Sequence, residues 1–180
     1  MSRASQVVVL VEDQPQQRFV RRYLYELGYA PHDIRFLPLP SGKGAGEQSV
    51  RQRYAPAVQA FRQRQAATAL VVAIDADTGE VSQRNRQLRT ELDQAGLGPR
   101  ADGEAVAHLI PKRNIETWIL CLTGREVDEE TDYSRDAGVH ELIPAAAAAF
   151  REWSRPNAIA PDSCVPSLRA AIPEVRRLGR

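Results

Sequence analysis

Leu70-Val71-Val72-Ala73-Ile74-Asp75-Ala76-Asp77 is an apolar run that stops at two carboxylates one residue apart, with Thr78-Gly79 directly behind them. Because the run is continuously apolar rather than alternating, it predicts a strand buried on both faces, as in a parallel sheet. In open α/β sheets ligands gather beyond the carboxyl ends of the strands, which is where Asp75 and Asp77 fall. Two acids at one strand end repel each other, and a hard divalent cation offsets that cost. Mg2+ takes carboxylate oxygens and keeps several waters for substrate. In the plainer alternative Asp75 merely ends the strand and Asp77 belongs to a turn with Gly79.

Outward from this stretch, the same grammar repeats. Val7–Val11 is a second wholly apolar run, and it ends in Glu12-Asp13. Pro15 suits the first turn of a helix that carries Val20, Tyr23, Leu24 and Leu27 on one face and Arg18, Arg21 and Arg22 on the other, with Gly28 as its stop. Ile34–Leu37 reads as a short strand, and Pro38 to Gly46 as a loop. A helix from about Glu47 to Gln65 turns Val50, Tyr54, Ala57, Val58 and Phe61 inward, with Pro56 set to kink or split it. A polar helix near Ser82–Gln94, a strand at Val106–Ile110 closed by Pro111, and a helix at Ile115–Leu122 capped by Asn114 follow. Gly124–Gly138 is acidic and reads as a solvated excursion. Helices at about Glu141–Trp153 and Ser167–Leu178 are separated by a Pro-containing linker, Ser154–Pro166. Strands alternating with helices give an α/β fold: a doubly wound parallel sheet of about four strands with helices on both faces, plus C-terminal helices. Residues 1–125 are expected to form the α/β unit, with 126–180 packed on the same domain.

Bulk properties bound the rest. The 180 residues are 43% hydrophobic and 26% charged, with a formal net charge of +1. That balance suits one compact domain and excludes neither nucleic acid nor acidic partners. Lys43 and Lys112 are the only lysines beside 22 arginines. Arginine's planar fork suits phosphate, although a GC-rich genome produces the same bias without functional meaning. Cys121 and Cys164 set no disulfide framework and no metal spacing, so a reducing, cytoplasmic compartment is expected. Met1–Gln6 is polar and Val7–Val11 is too short for a signal core. No apolar run approaches the roughly 20 residues needed to span a bilayer, so no membrane association is expected.

In this reading each principal strand ends at an acid: Glu12 after the first, Asp75 and Asp77 after the third, Glu116 just beyond the fourth. In a parallel sheet they converge on one edge, a layout that phosphoryl transfer uses to polarise phosphate and activate water. Each acid also has a structural alternative. Glu12 and Asp13 could cap the following helix, and Glu116 could complement a helix dipole for roughly 0.3–1 kcal/mol. Lys43, between glycines in Ser41-Gly42-Lys43-Gly44, could meet a phosphate or be simply solvated. Its loop is no Walker A, because Leu37 stands where the first glycine is required and Gly44 replaces Ser/Thr. Lys112 and Arg113 border the same edge. The arginine pairs Arg51/Arg53, Arg62/Arg64 and Arg84/Arg86 could track a nucleic-acid backbone or lie on solvated helix faces. His32, His108 and His140 show no ligand spacing, and His108 reads as a core or edge residue.

Asp75-Ala76-Asp77 after a buried strand, with Glu12 after the first strand, resembles a TOPRIM (topoisomerase–primase) domain. Ile115-Glu116-Thr117-Trp118 is similar to the Ile-Glu-x-Trp stretch of small stand-alone TOPRIM proteins related to OLD-family nucleases, and the Gly-Lys-Gly loop and the Pro166-Ser167-Leu168 helix start share that likeness. It spans roughly residues 7–122. The resemblance implies Mg2+ (or Mn2+) held by Glu12, Asp75, Asp77 and Glu116. It implies Glu12 as acid/base and Lys43 or Lys112 stabilising charge. It further implies a nuclease acting on nucleic acid, with DNA the expected form, a setting in phage or plasmid defence, and a separately encoded ATPase partner. One departure stands out: Gln16 occupies the place where such nucleases carry a second acid, with Asp13 as a substitute. Two rivals remain. Val7–Tyr29 also resembles the start of a response-regulator receiver domain, with Asp75 as phosphoacceptor and Lys112 beside it. Against that, the Asp13-to-Asp75 spacing is long and Met-Pro is missing after Asp75. Alternatively, the chain is a non-catalytic TOPRIM scaffold that binds a partner protein.

Overall fold

The computed structural model describes residues 4–40, 45–64 and 67–179. Four strands form one sheet: β1 (Gln6–Val11), β2 (Ile34–Phe36), β3 (Thr68–Ala73) and β4 (Val106–Leu109). All neighbours pair in parallel, in the order β2-β1-β3-β4. The helices are α1 (Gln14–Glu26), α2 (Gly46–Gln63), α3 (Val81–Gln94), α4 (Ile115–Leu122), α5 (Ile143–Trp153) and α6 (Pro166–Arg176). No helix among the described residues is long and apolar enough to cross a membrane.

The pleat sorts each strand's side chains into two cores. Register pairs Val7, Val9 and Val11 with Ala69, Val71 and Ala73, and Val71 and Ala73 with Ala107 and Leu109. These residues share one hydrophobic cluster with Phe19, Val20 and Leu24 of α1, Trp118 of α4, Phe150 of α5 and Leu168 of α6. The alternate residues Leu10, Leu70, Val72 and Val106 pack on the opposite face against Val50, Tyr54 and Val58 of α2 and Leu88 and Leu92 of α3. Burial on both faces is the reason the strand sequences read as unbroken apolar runs. Phe150 is the hub of the first core: its ring centre lies 4.7 Å from Tyr23, 5.9 Å from Phe19 and 6.2 Å from Trp118, within the range of favourable aromatic pairs. The C-terminal helices therefore complete the same core that the sheet begins.

Several local expectations change. Pro56 neither splits nor ends α2, which runs through it as one helix. The helix expected from Glu141 opens with a one-turn 3-10 helix, Val139–Leu142, before α5 begins, because Pro144 suits a helix's first turn. The acidic 124–138 stretch is largely exposed, as expected of a solvated excursion, but it does not hang free. It lacks regular structure but is strapped to the body at several points. The Ser167 backbone N–H donates to Glu129 Oε1 (2.8 Å) and Asn114 Nδ2 to Asp132 Oδ1 (2.8 Å). Lys112 Nζ donates to Glu130 Oε1 (2.6 Å), and Tyr133 is buried. The acids there serve as acceptors for groups on α4, α6 and the end of β4, which composition alone cannot show.

Candidate functional site

The chain runs from β1 out to β2 and then back across β1 to β3, so the winding reverses between β1 and β3. That reversal is the topological switch point, where the strand ends leave a crevice for ligands. Glu12 and Asp13 leave β1 at this point and Asp75 leaves β3 beside them. Pairing continues past the formal end of β3, since the Ile74 and Ala76 N–H groups donate to Leu109 O (3.1 Å) and Pro111 O (2.8 Å). Asp75 is thus held on extended backbone at the crevice wall.

Four hydrogen bonds close a ring around Gln16, which is completely buried. Its Nε2 donates to Asp75 Oδ1 (2.7 Å), and its Oε1 accepts from the Glu12 N–H (3.0 Å). The Asp75 N–H donates to Glu12 Oε2 (3.1 Å), and the Gln16 N–H donates to Asp13 Oδ1 (2.9 Å). Asp13 is accordingly the N-cap of α1 and is not a free substitute for a second acid. The amide in the second acid's place braces the two strand ends against each other. Gly46, at the start of α2, lies so close that a Cβ there would stand 2.4 Å from Glu12 Cγ and 2.9 Å from its carbonyl oxygen.

Burial and mutual repulsion raise the proton affinity of the whole group. Glu12 is pushed up to about 7, chiefly by desolvation, with Asp77 and Asp13 adding to it and the Asp75 N–H opposing it. Asp75, only 8% exposed, is raised well above the usual carboxylate range by burial first and then by Glu12 and Asp13. Asp13 is raised by burial as well, with Glu116 adding and His140 opposing.

Glu116 reaches the same cluster from the first turn of α4 and is 4% exposed. Its Oε1 lies 2.8 Å from His140 Nε2. Asp77 is exposed and takes a left-handed backbone (φ 55°). Its Oδ2 meets Arg84 Nη2 at 3.3 Å, and the other arm of that guanidinium binds Glu47 of α2. Arg84 is 6% exposed, so it belongs to the interior of the site and not to a solvated basic face. Arg51 and Arg62 are likewise committed, to Glu91 and Glu104, whereas Arg18, Arg21 and Arg22 are exposed. Lys112 is held between Glu130 (2.6 Å) and Glu80 (3.4 Å). Lys43 lies outside the described residues.

Glu12, Asp75, Asp77 and Glu116 therefore stand at one edge, but each carboxylate is already engaged: Glu12 with the Asp75 N–H, Asp75 with the Gln16 amide, Asp77 with Arg84, Glu116 with His140. Among the described residues no group of three His, Cys, Asp or Glu side chains is disposed to hold a metal ion. The donor chemistry still suits a hard cation, because Glu12 and Asp75 keep an elevated proton affinity that Arg84 only partly offsets at Glu12, and Mg2+ is commonly held through one or two carboxylates plus water. A polar cleft of about 350 Å³ opens alongside, between Glu47, Asp77, Thr78, Gln83, Arg84 and Gln87. An apolar hollow of about 440 Å³ lies elsewhere, where Leu27, Arg155 and Leu178 follow the ends of α1, α5 and α6, and it includes none of these acids.

His108 is no ligand. Its Nε2 lies 2.9 Å from the Tyr54 hydroxyl and its Nδ1 3.0 Å from Asn85 Oδ1, and burial pushes it down to about 3. Sequence reading missed Gln16 as a brace, Arg84 as a buried partner of Asp77, and His140 as the partner of Glu116. Only Gln16 left a trace, as the amide standing where an acid was expected.

No protein-family model matches this chain, and no curated protein or solved structure matches it significantly.

Proposed function

We propose that this chain is a TOPRIM-like, cation-dependent phosphodiesterase that cleaves nucleic acid, with DNA as the form to test first. The observation that supports the reading is the meeting of Glu12 and Asp75 at the switch point, both with raised proton affinity and, among the described residues, no cationic side chain bonded to either. Glu12 and Asp75 would hold Mg2+ (or Mn2+), with Asp77 joining on release from Arg84 and Glu116 lining the outer wall. Such a cation neutralises phosphate charge and makes a bound water more acidic. The chain's own residues supply the rest. Glu12, with a proton affinity centred near neutrality, gives or takes a proton at its carboxylate. Gln16 fixes the Asp75 carboxylate by its 2.7 Å hydrogen bond. Lys112 offers positive charge to a phosphate that displaces Glu130. The exposed Arg18, Arg21 and Arg22 face follows the backbone beyond the scissile bond.

Supercoiled plasmid incubated with the protein and Mn2+ or Mg2+ tests this directly. Nicking that needs the cation and is lost in Asp75→Ala, with the variant folded by circular dichroism, is the expected result. Absence of cleavage with either cation overturns it. One observation favours a second reading. With Gln16 in an acid's place and Asp13 spent as a helix cap, the site is short of a free carboxylate, as a non-catalytic scaffold for a separately encoded ATPase would be. Failure to cleave, together with a stable complex on co-purification, would support the scaffold. A receiver-like role requires Asp75 open to a phosphoryl donor, whereas Asp75 is buried with Oδ1 occupied.

A further inference from the structure

We infer that Cys121 and Cys164 are a redox-sensitive dithiol, a modification site at which a reversible intramolecular disulfide staples α4 to the segment entering α6. The two residues are far apart in sequence and both are buried. Cys121 Sγ donates to Ser163 O at 3.5 Å, which places it against the residue immediately before Cys164. Cys164 Sγ in turn donates to Val165 O at 3.6 Å, so the Cys121 sulfur sits against the chain segment that carries Cys164. A solitary buried cysteine behaves as a small hydrophobe. Two brought to neighbouring positions, in a chain that has only two, are poised to act as a pair.

The backbone on each side is tethered, which keeps the two cysteine-bearing segments together. Trp118 Nε1, one turn before Cys121, donates to Ser167 Oγ at 2.7 Å. The Ser167 N–H donates to Glu129, and the Cys164 N–H closes a turn onto Pro161 O at 3.0 Å. Pro161, Asp162 and Ser163 of that turn are exposed, so its local opening admits a small oxidant. The neighbouring Cys164 side chain and the Val165 backbone hold the Cys121 thiol below its ordinary value, while Cys121 and burial push Cys164 up. Cys121 is therefore the first nucleophile.

A small-molecule disulfide such as oxidised glutathione is the co-reactant. Cys121 loses its proton to solvent, and its thiolate attacks one glutathione sulfur, forming a mixed disulfide and expelling one glutathione thiolate. Cys164, deprotonated in turn, attacks the Cys121 sulfur of that mixed disulfide and releases the second glutathione. Two protein thiols are oxidised to one disulfide, and one glutathione disulfide is reduced to two thiols. This inference is independent of the nuclease reading.

The reduced full-length chain, exposed under native conditions to oxidised glutathione and then alkylated, is read by intact mass spectrometry. The expected product is monomeric, unalkylated and about 2 Da lighter than the reduced chain, and dithiothreitol reverses it. Cys121→Ser and Cys164→Ser should each end as a stable glutathione adduct or as an alkylated single thiol. Two alkylated cysteines, a persistent glutathione adduct on the wild type, or disulfide-linked dimers would overturn the inference. Should either variant fail to fold, the proteolytic map of the oxidised wild type decides, through presence or absence of a cross-linked Cys121–Cys164 peptide.

Discussion

Glu12→Gln should stabilise this protein at alkaline pH, in the absence of divalent cations. The wild-type carboxyl titrates near 7 in the fold against an ordinary value of 4.5, because it is desolvated beside Asp77 and Asp13. A raised carboxylate gives the native state its full proton-linked stability below the unfolded value. That contribution declines as pH rises from 4.5 and is gone once pH passes about 7. The displacement corresponds to roughly 3 kcal/mol at most. Glutamine keeps the shape, its carbonyl oxygen can still accept from the Asp75 N–H, and its amide adds a donor among acids. Urea denaturation in a chelating buffer should place the variant about 1–3 kcal/mol above wild type near pH 8, with the gap closing toward pH 4.5. Comparing variant with wild type cancels titrating groups remote from Glu12, while Asp75, relieved of Glu12's repulsion, shifts the difference in the same direction. Equal or lower stability of Glu12→Gln at pH 8 would refute the reasoning, because the charge would then be satisfied within the fold.

Mg2+ or Mn2+ should raise the wild-type unfolding midpoint at the same alkaline pH, by about 2.7 kcal/mol at a hundredfold excess over its dissociation constant, and Asp75→Asn should abolish the shift in a thermal melt. His108, displaced downward to about 3, works in the opposite direction. Its contribution is present above the ordinary value of 6.5 and is lost as pH falls toward 3, by up to about 5 kcal/mol, and an NMR titration should find its ring neutral at pH 5. Gly46→Ala should cost about 1–3 kcal/mol through overpacking onto Glu12, with cation affinity falling in parallel by calorimetry.

How far the sequence is legible depends on the range of the interaction. Val7–Val11 and Leu70–Ile74 are readable as buried parallel strands because burial on both faces erases alternation, a property each segment carries by itself. The placing of Glu12 and Asp75 at one edge follows from that parallel arrangement alone. What escapes is pairing between side chains distant along the chain. Arg84 looks solvated within a polar helix until Glu47 and Asp77 are found on either side of it. His140 gains meaning only from Glu116, and Cys121 only from Cys164. The acidic 124–138 stretch shows the same limit, since Glu129 and Asp132 look like solvated charges until Ser167 and Asn114 arrive as donors.

The strap has a further consequence for any polyanion that approaches the carboxyl edge. Because Glu130 and Glu80 already sit on Lys112, an incoming phosphate there trades places with protein carboxylates instead of stripping small ions from a bare ammonium. The swap leaves the number of released counterions smaller than the tally of positive residues suggests. Affinity at that position should respond more weakly to added salt than at the exposed Arg18 of α1, so the molecule carries its own competitor for this cationic anchor.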